Sequence, residues 1–234
     1  MAAQNPVKTR QTQGCEMVGV IATRADLQLA LEMAHPPDLF ELRLDCLAGR
    51  EAELEKKIPL LPAPLIVTAR HPAEGGANNL PLARRRELIL RFLPNARYID
   101  LELRSVDAFQ SLLTLPAAKK ARRIISLHDF GSTPSPRSLH AKARAAKSYG
   151  AAIFKTATRT DTPAQLARLF EFIANRDPDL ALSVMGIGHL GAVSRLALAR
   201  CGSVLVYGSL ADPQLEGQLS IEQLRAVFDI LQIR

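Results

Sequence analysis

The sequence predicts a single (β/α)8 barrel, and three observations carry that prediction. Short apolar segments alternate with longer segments of helical periodicity along the whole chain. These make eight strand–helix pairs in 234 residues, about the length of one such barrel. No linker or shift of composition interrupts the series. Regular alternation calls for parallel strands joined by crossover helices. The barrel is expected over 15–234 as one domain, with the polar stretch 1–14 (MAAQNPVKTRQTQG) a flexible tail. A doubly wound open sheet is the alternative fold.

Each element has its own signal. Glu16–Ala22 reads as strand one. Ala25–Ala34 is a helix, with Leu27, Ala30, Leu31 and Ala34 on one face, and His35-Pro36-Pro37 stops it. Asp38–Asp45 is strand two, Glu51–Lys57 a short charged helix, and Leu65–Ala69 strand three. Turn residues fill the loop His71–Asn79. Leu82–Phe92 is a helix with a basic face, Tyr98–Leu103 strand four, Val106–Leu113 a weak helix and Arg123–Leu127 strand five. Ser135–Tyr149 is a long helix ended by Gly150, and Ala151–Thr158 is strand six. Thr162–Asn175 is a helix with Thr162 as N-cap and Pro163 in its first turn. Leu180–Met185, Val193–Arg200, Val204–Tyr207 and Ile221–Leu231 complete the series as strand, helix, strand and helix.

Composition excludes several classes. Apolar content of 47% with 23% charged residues is that of a soluble globular protein. No apolar run reaches the length of a membrane span, and the polar start is no secretory signal. Cys15, Cys46 and Cys201 are far apart and odd in number, which argues against a disulfide framework or zinc site and fits a reducing cytoplasm. The net charge of +7 is spread over short basic runs, and aromatics are only 5% with no Trp, so a nucleic-acid partner is not expected.

Chemistry concentrates where strands end, which in such barrels is the active-site face. Alternation sends Glu41, Arg43 and Asp45 of strand two to one face. Strand three ends at Thr68-Ala69-Arg70, strand four at Asp100-Leu101-Glu102 and strand five at Ser126-Leu127-His128-Asp129. Strand six carries Lys155 among Ala151, Ala152, Ile153 and Phe154, and strand seven ends at Met185. An ammonium in apolar surroundings is costly unless paired or neutralised, and a lysine that sheds its proton is a nucleophilic amine. The plainer reading is a strand-end lysine whose amine reaches water. Rim solvation could likewise account for Asp45 or Asp100 alone, but poorly for polar residues on six successive strands. His128, one strand before Lys155, is placed to exchange protons with whatever that lysine binds. No His/Glu/Asp spacing suggests a metal site.

Gly186-Ile187-Gly188-His189-Leu190-Gly191 matches G-x-G-x-x-G between a strand and a helix. Too little chain follows for a nucleotide-binding half, and strand eight ends without an acid to hold a ribose. The glycine amides could still hold an anion, with Arg195 a turn away.

Taken in order, ELRLD (41–45), TAR and EGG (68–70 and 74–76), DLE (100–102), SLHDF (126–130), FKTAT (154–158), MG and GAVSR (185–186 and 191–195) and GQLS (217–220) resemble type I 3-dehydroquinate dehydratase. The resemblance implies a dimeric (β/α)8 barrel that dehydrates 3-dehydroquinate to 3-dehydroshikimate in the shikimate pathway, with no metal or organic cofactor. Lys155 is then the Schiff-base lysine, His128 the general acid/base and Glu74 its orienting partner. Glu41, Arg43, Arg70, Met185 and Gln218 line the substrate pocket, and Arg195 meets the substrate carboxylate. Arg43, Arg70 and Arg195 are expected beside Lys155, favouring its neutral form by like-charge repulsion.

Two stretches depart from the family's pattern. Met185 to Arg195 spans ten positions, two more than usual. The closing loop, usually Ser-Ala-Pro-Gly-Gln, reads Gln214-Leu215-Glu216-Gly217-Gln218. Gln218 keeps its place, whereas Gln214 stands outside the expected set and Glu216 must point away from an anionic substrate. Another Schiff-base barrel of the class I aldolase kind, or a non-catalytic relative that binds a small acid, are the competing readings.

Overall fold

The computed structural model of the protein describes residues 14–233. The tail expected over 1–14 lies outside them apart from Gly14. Within them, strands β1 (Glu16–Ile21), β2 (Leu39–Arg43), β3 (Leu65–Thr68), β4 (Ala96–Glu102), β5 (Arg122–Asp129), β6 (Ile153–Arg159), β7 (Ala181–Ile187) and β8 (Leu205–Ser209) alternate with nine α-helices. The helices are α1 (Arg24–Glu32), α2 (Glu51–Lys57), α3 (Leu82–Phe92), α4 (Gln110–Leu113), α5 (Pro116–Lys120), α6 (Pro136–Ser148), α7 (Pro163–Ala174), α8 (Gly191–Arg200) and α9 (Ile221–Leu231). None is long and apolar enough to cross a membrane.

The strands run in the order β7-β6-β5-β4-β3-β2-β1-β8, so each lies beside its neighbour in sequence and β8 returns to β1. The first and last pairings are both parallel, β1 with β8 and β6 with β7. At the remaining seam, Val204 N donates to Leu182 O at 2.8 Å and Val184 N to Ser203 Oγ at 2.9 Å. The result is a nearly closed barrel, and the sequential order rules out the doubly wound alternative.

Two apolar layers explain the strand sequences. Val18, Leu39, Ile66, Tyr98, Ile124, Ile153 and Met185 pack together inside the barrel. Phe40, Leu42, Val67, Ile99, Ile125 and Phe154 face outward against the helices. Strands covered on both faces read as near-continuous apolar runs, as in the wholly buried β3. Helix starts carry local signals: the capping boxes Thr23/Asp26, Thr162/Gln165 and Ser220/Gln223 open α1, α7 and α9.

Some boundaries differ from the sequence reading. Strand six begins at Ile153 and runs to Arg159, so Lys155 lies inside it rather than at its end. Strand seven runs past Met185 to Ile187, because Thr158 pairs with Gly186 and Arg159 with Ile187 in the shared ladder. The weak helix over Val106–Leu113 is divided between the end of a 3-10 segment, Leu103–Phe109, and α4. Helix α5 was not anticipated; Pro116 opens it, where a missing amide costs nothing.

Candidate active site

The C-terminal mouth of the barrel holds a pocket open to solvent. All nine site residues expected from the sequence line it: Glu41, Arg43, Arg70, Glu74, His128, Lys155, Met185, Arg195 and Gln218.

Lys155 is 3% exposed, so the snorkelling reading fails. Its Nζ lies 3.0 Å from Asp100 Oδ2 and 3.2 Å from Glu41 Oε1, and 3.9 Å from the centroid of the Tyr207 ring. The amine therefore meets two carboxylates, which corrects the expectation that arginines are its immediate partners. Arg70 shares those acids with it. Arg70 donates from Nη2 to Asp100 Oδ2 at 2.8 Å and from Nη1 to Asp100 Oδ1 at 3.0 Å and Ser126 Oγ at 2.7 Å. Burial alone would raise the Asp100 pKa, but the charges of Arg70 and Lys155 outweigh it and hold this carboxyl well below the usual range.

Across the pocket, one oxygen of Glu74 accepts the His128 backbone amide at 2.9 Å and faces His128 Nδ1 at 3.1 Å. A proton on Nδ1 serves that contact and leaves Nε2 with its lone pair. Burial, then the positive charges of Arg70 and Lys155, push the His128 pKa well below its ordinary value. Burial, with Glu102 nearby, pushes the Glu74 carboxyl up to about 7. His128 is thus a neutral imidazole at neutral pH, and Glu74 titrates there.

Arg43 is occupied by Asp45, Nε to Oδ1 at 3.0 Å and Nη2 to Oδ2 at 2.8 Å. Asp45 is fully buried and also accepts the amides of Arg70 and Ala77, which ties β2 to the turn bearing Glu74. Arg195 differs. It is buried and donates from Nη1 to Met185 Sδ at 3.2 Å and Tyr207 O at 3.3 Å, while Nε finds no acceptor. Among the described residues no carboxylate forms a salt bridge with it, and burial lowers its pKa to about 10. A buried cation without a counter-ion, at a pocket wall, is a seat for an anion.

Comparison with known proteins agrees with this constellation. The family model for type I 3-dehydroquinase matches residues 18–234. The chain belongs to the type I 3-dehydroquinase family. A 3-dehydroquinate dehydratase of Methanocella arvoryzae is 31% identical over 94% of this chain and 98% of its own length. One from Pyrococcus abyssi is 31% identical over 92% and 98%. The crystal structure of 3-dehydroquinate dehydratase from Geobacillus kaustophilus superposes with a TM-score of 0.80 at 26% identity, covering 94% of this chain and 92% of that one.

The family's pattern makes the loop after β8 informative. Gln214, Leu215 and Gln218 line the pocket, so Gln214 belongs to the site after all. Gln218 Oε1 accepts the Gln214 amide at 2.7 Å. Glu216 is not part of the lining. Its carboxylate turns outward, 3.1 Å from Arg159 Nη1 and 3.5 Å from His189 Nδ1. The G-x-G-x-x-G loop holds no outside anion at its amides: Gly188 N donates to Glu216 O at 3.1 Å and His189 N to Asp161 Oδ1 at 2.9 Å.

Asp100, Glu102 and Ser126 stand among the polar strand ends read from the sequence but carry no assigned role there, and Tyr207 is not singled out at all. Asp100 and Glu102 had a usable signal. Two acids spaced by two on an otherwise apolar strand share a face and must be paired if that face is internal. Tyr207 had none, since a tyrosine in strand eight looks like core.

Proposed function

We propose that this protein is a hydro-lyase that converts 3-dehydroquinate to 3-dehydroshikimate through a Schiff base on Lys155. The observation that carries this reading is the buried Lys155 amine facing the His128–Glu74 pair across a pocket whose wall holds the unpaired Arg195. In its unprotonated form the amine adds to the substrate ketone; the adduct takes up one proton and loses water, giving an iminium ion, and that proton is returned when the iminium is hydrolysed. That cation acidifies the adjacent carbon. His128 Nε2 takes one of its protons and delivers it to the departing hydroxyl, which leaves as water. Hydrolysis of the iminium consumes one water, frees the ketone product and restores Lys155, so the net change is loss of one water.

The remaining side chains take supporting roles. Glu74 orients His128 and offsets the imidazolium formed in transit. Arg195 binds the substrate carboxylate. Glu41, Arg43, Arg70, Met185 and Gln218 surround the ring and its hydroxyls, with Gln218 reaching in from the closing loop. The same reading takes the enzyme as a single barrel domain over 15–234, a cytoplasmic homodimer, acting without nucleic-acid or membrane partners.

Incubating the protein with 3-dehydroquinate, adding borohydride and weighing it tests the mechanism. A stable mass increase on Lys155 is expected. An unchanged mass in an enzyme that still forms product would overturn the Schiff-base reading.

A further inference from the structure

The loop after β8 and the loop between β7 and α8 touch one another, Gly188 N donating to Glu216 O at 3.1 Å. Glu216, in the loop that lines the pocket, reaches Arg159 at the end of β6, the strand that carries Lys155. Arg159 is gripped from its other side by Asp161, whose second oxygen accepts the amide of His189 in the β7–α8 loop. His189 faces the other oxygen of Glu216. Polar side chains from three loops therefore meet outside the pocket.

The backbone is shaped to the same contact. Gly217 has φ +77°, and a Cβ there would stand 2.7 Å from both Gly188 O and Gly191 Cα. Gly188 has φ +101°, and a Cβ there would collide with Asp161 and Arg159. Only glycine lets the loops approach this closely in these conformations. Steric fit alone would let the loop dock; the charge cluster adds directional attraction.

We propose that Glu216 and Arg159 are positioning residues that latch the 214–218 segment over the pocket. Through the latch, Gln214 and Gln218 are presented to the substrate. The ion pair limits the loop's freedom, so less ordering is left to be done when substrate binds. Arg159 and Glu216 are about one-third and one-half exposed, so the attraction is modest and screened by salt.

The proposal rests on the dehydratase reading, and its test keeps the two apart. Glu216→Gln should raise KM for 3-dehydroquinate about fivefold in low salt, with kcat within about twofold. Arg159→Gln should raise KM by a similar factor, and Arg159→Gln combined with Glu216→Gln by no more than either change alone, because both remove the same contact; two independent steric roles would multiply instead. Added sodium chloride should raise KM more steeply in the wild type than in Glu216→Gln. A KM unchanged in Glu216→Gln, effects that multiply in the double variant, or parallel salt slopes would overturn the latch. Should the wild type fail to turn over 3-dehydroquinate, the functional reading falls. Amide hydrogen exchange over 212–218 then decides the latch alone: faster exchange in Glu216→Gln than in wild type supports it, and equal rates overturn it.

Discussion

A single carboxylate oxygen of Glu74 holds both the backbone amide of His128, at 2.9 Å, and its Nδ1, at 3.1 Å. The two residues pull stability in opposite directions as pH changes. Glu74 has a folded pKa raised to about 7, so its contribution is fully present below its unfolded value and is lost as pH rises through 7. His128 has a depressed folded pKa, so its contribution is present above its unfolded value near 6.5 and is lost as pH falls. In the wild type the two slopes partly cancel between about pH 5 and 7. Glu74→Gln should leave a stability that rises with pH across this window, and His128→Gln one that falls. Urea denaturation at half-unit pH steps reads both slopes.

The same pair separates the chemical steps. His128→Ala leaves the Lys155 amine and its carboxylate partners in place but removes the group that moves the proton. It should accumulate a covalent adduct with 3-dehydroquinate while losing kcat by about 10²- to 10⁴-fold. Mass spectrometry without borohydride checks for the adduct. Lys155→Ala should show neither adduct nor turnover.

Much of this was legible in the residues, for physical reasons that differ by element. Helix α9 is framed by Ser220 and Gln223 at its start, local chemistry that sets a boundary without the rest of the fold. The inward phase of Glu41 and Arg43 follows from alternation alone. What the chain did not disclose are contacts across the barrel. Lys155 and Asp100 lie on strands that are not neighbours, so no spacing announces their 3.0 Å pair. Nothing in Glu216 itself says that Arg159 will turn it away from the pocket, because that depends on a partner 57 positions earlier in the chain (216 − 159).

Asp100 is the acid on which both Arg70 and Lys155 converge, and it is fully buried. Removing it leaves two buried cations short of their counter-charge, which costs more than the pair contributes in place. Asp100→Ala should lower unfolding free energy by about 3 kcal/mol at pH 7. Because the folded pKa of Asp100 is depressed, the stability it supplies is present above its unfolded value near 4 and is lost progressively as pH falls from there through the much lower folded pKa. The gap between wild type and variant should therefore shrink in acid, which chemical denaturation at pH 7 and pH 3.5 measures.

Arg195 poses the opposite case, a group that burdens the free protein and is justified only by its ligand. Its guanidinium is buried with one nitrogen unpartnered, and burial lowers its pKa to about 10. It stays charged at every working pH, so the desolvation cost is constant from pH 6 to 9. Arg195→Met keeps an unbranched apolar stem in that space and discards the charge. It should stabilise the unliganded protein by about 1 kcal/mol, with no pH dependence in that range. The same change removes the counter-charge for the substrate carboxylate and should raise KM on the order of a hundredfold. Thermal denaturation with and without ligand reads the exchange. The variant should melt higher than wild type when free and gain less on ligand addition; a variant that melts lower when free would show that Arg195 supports the fold rather than the ligand.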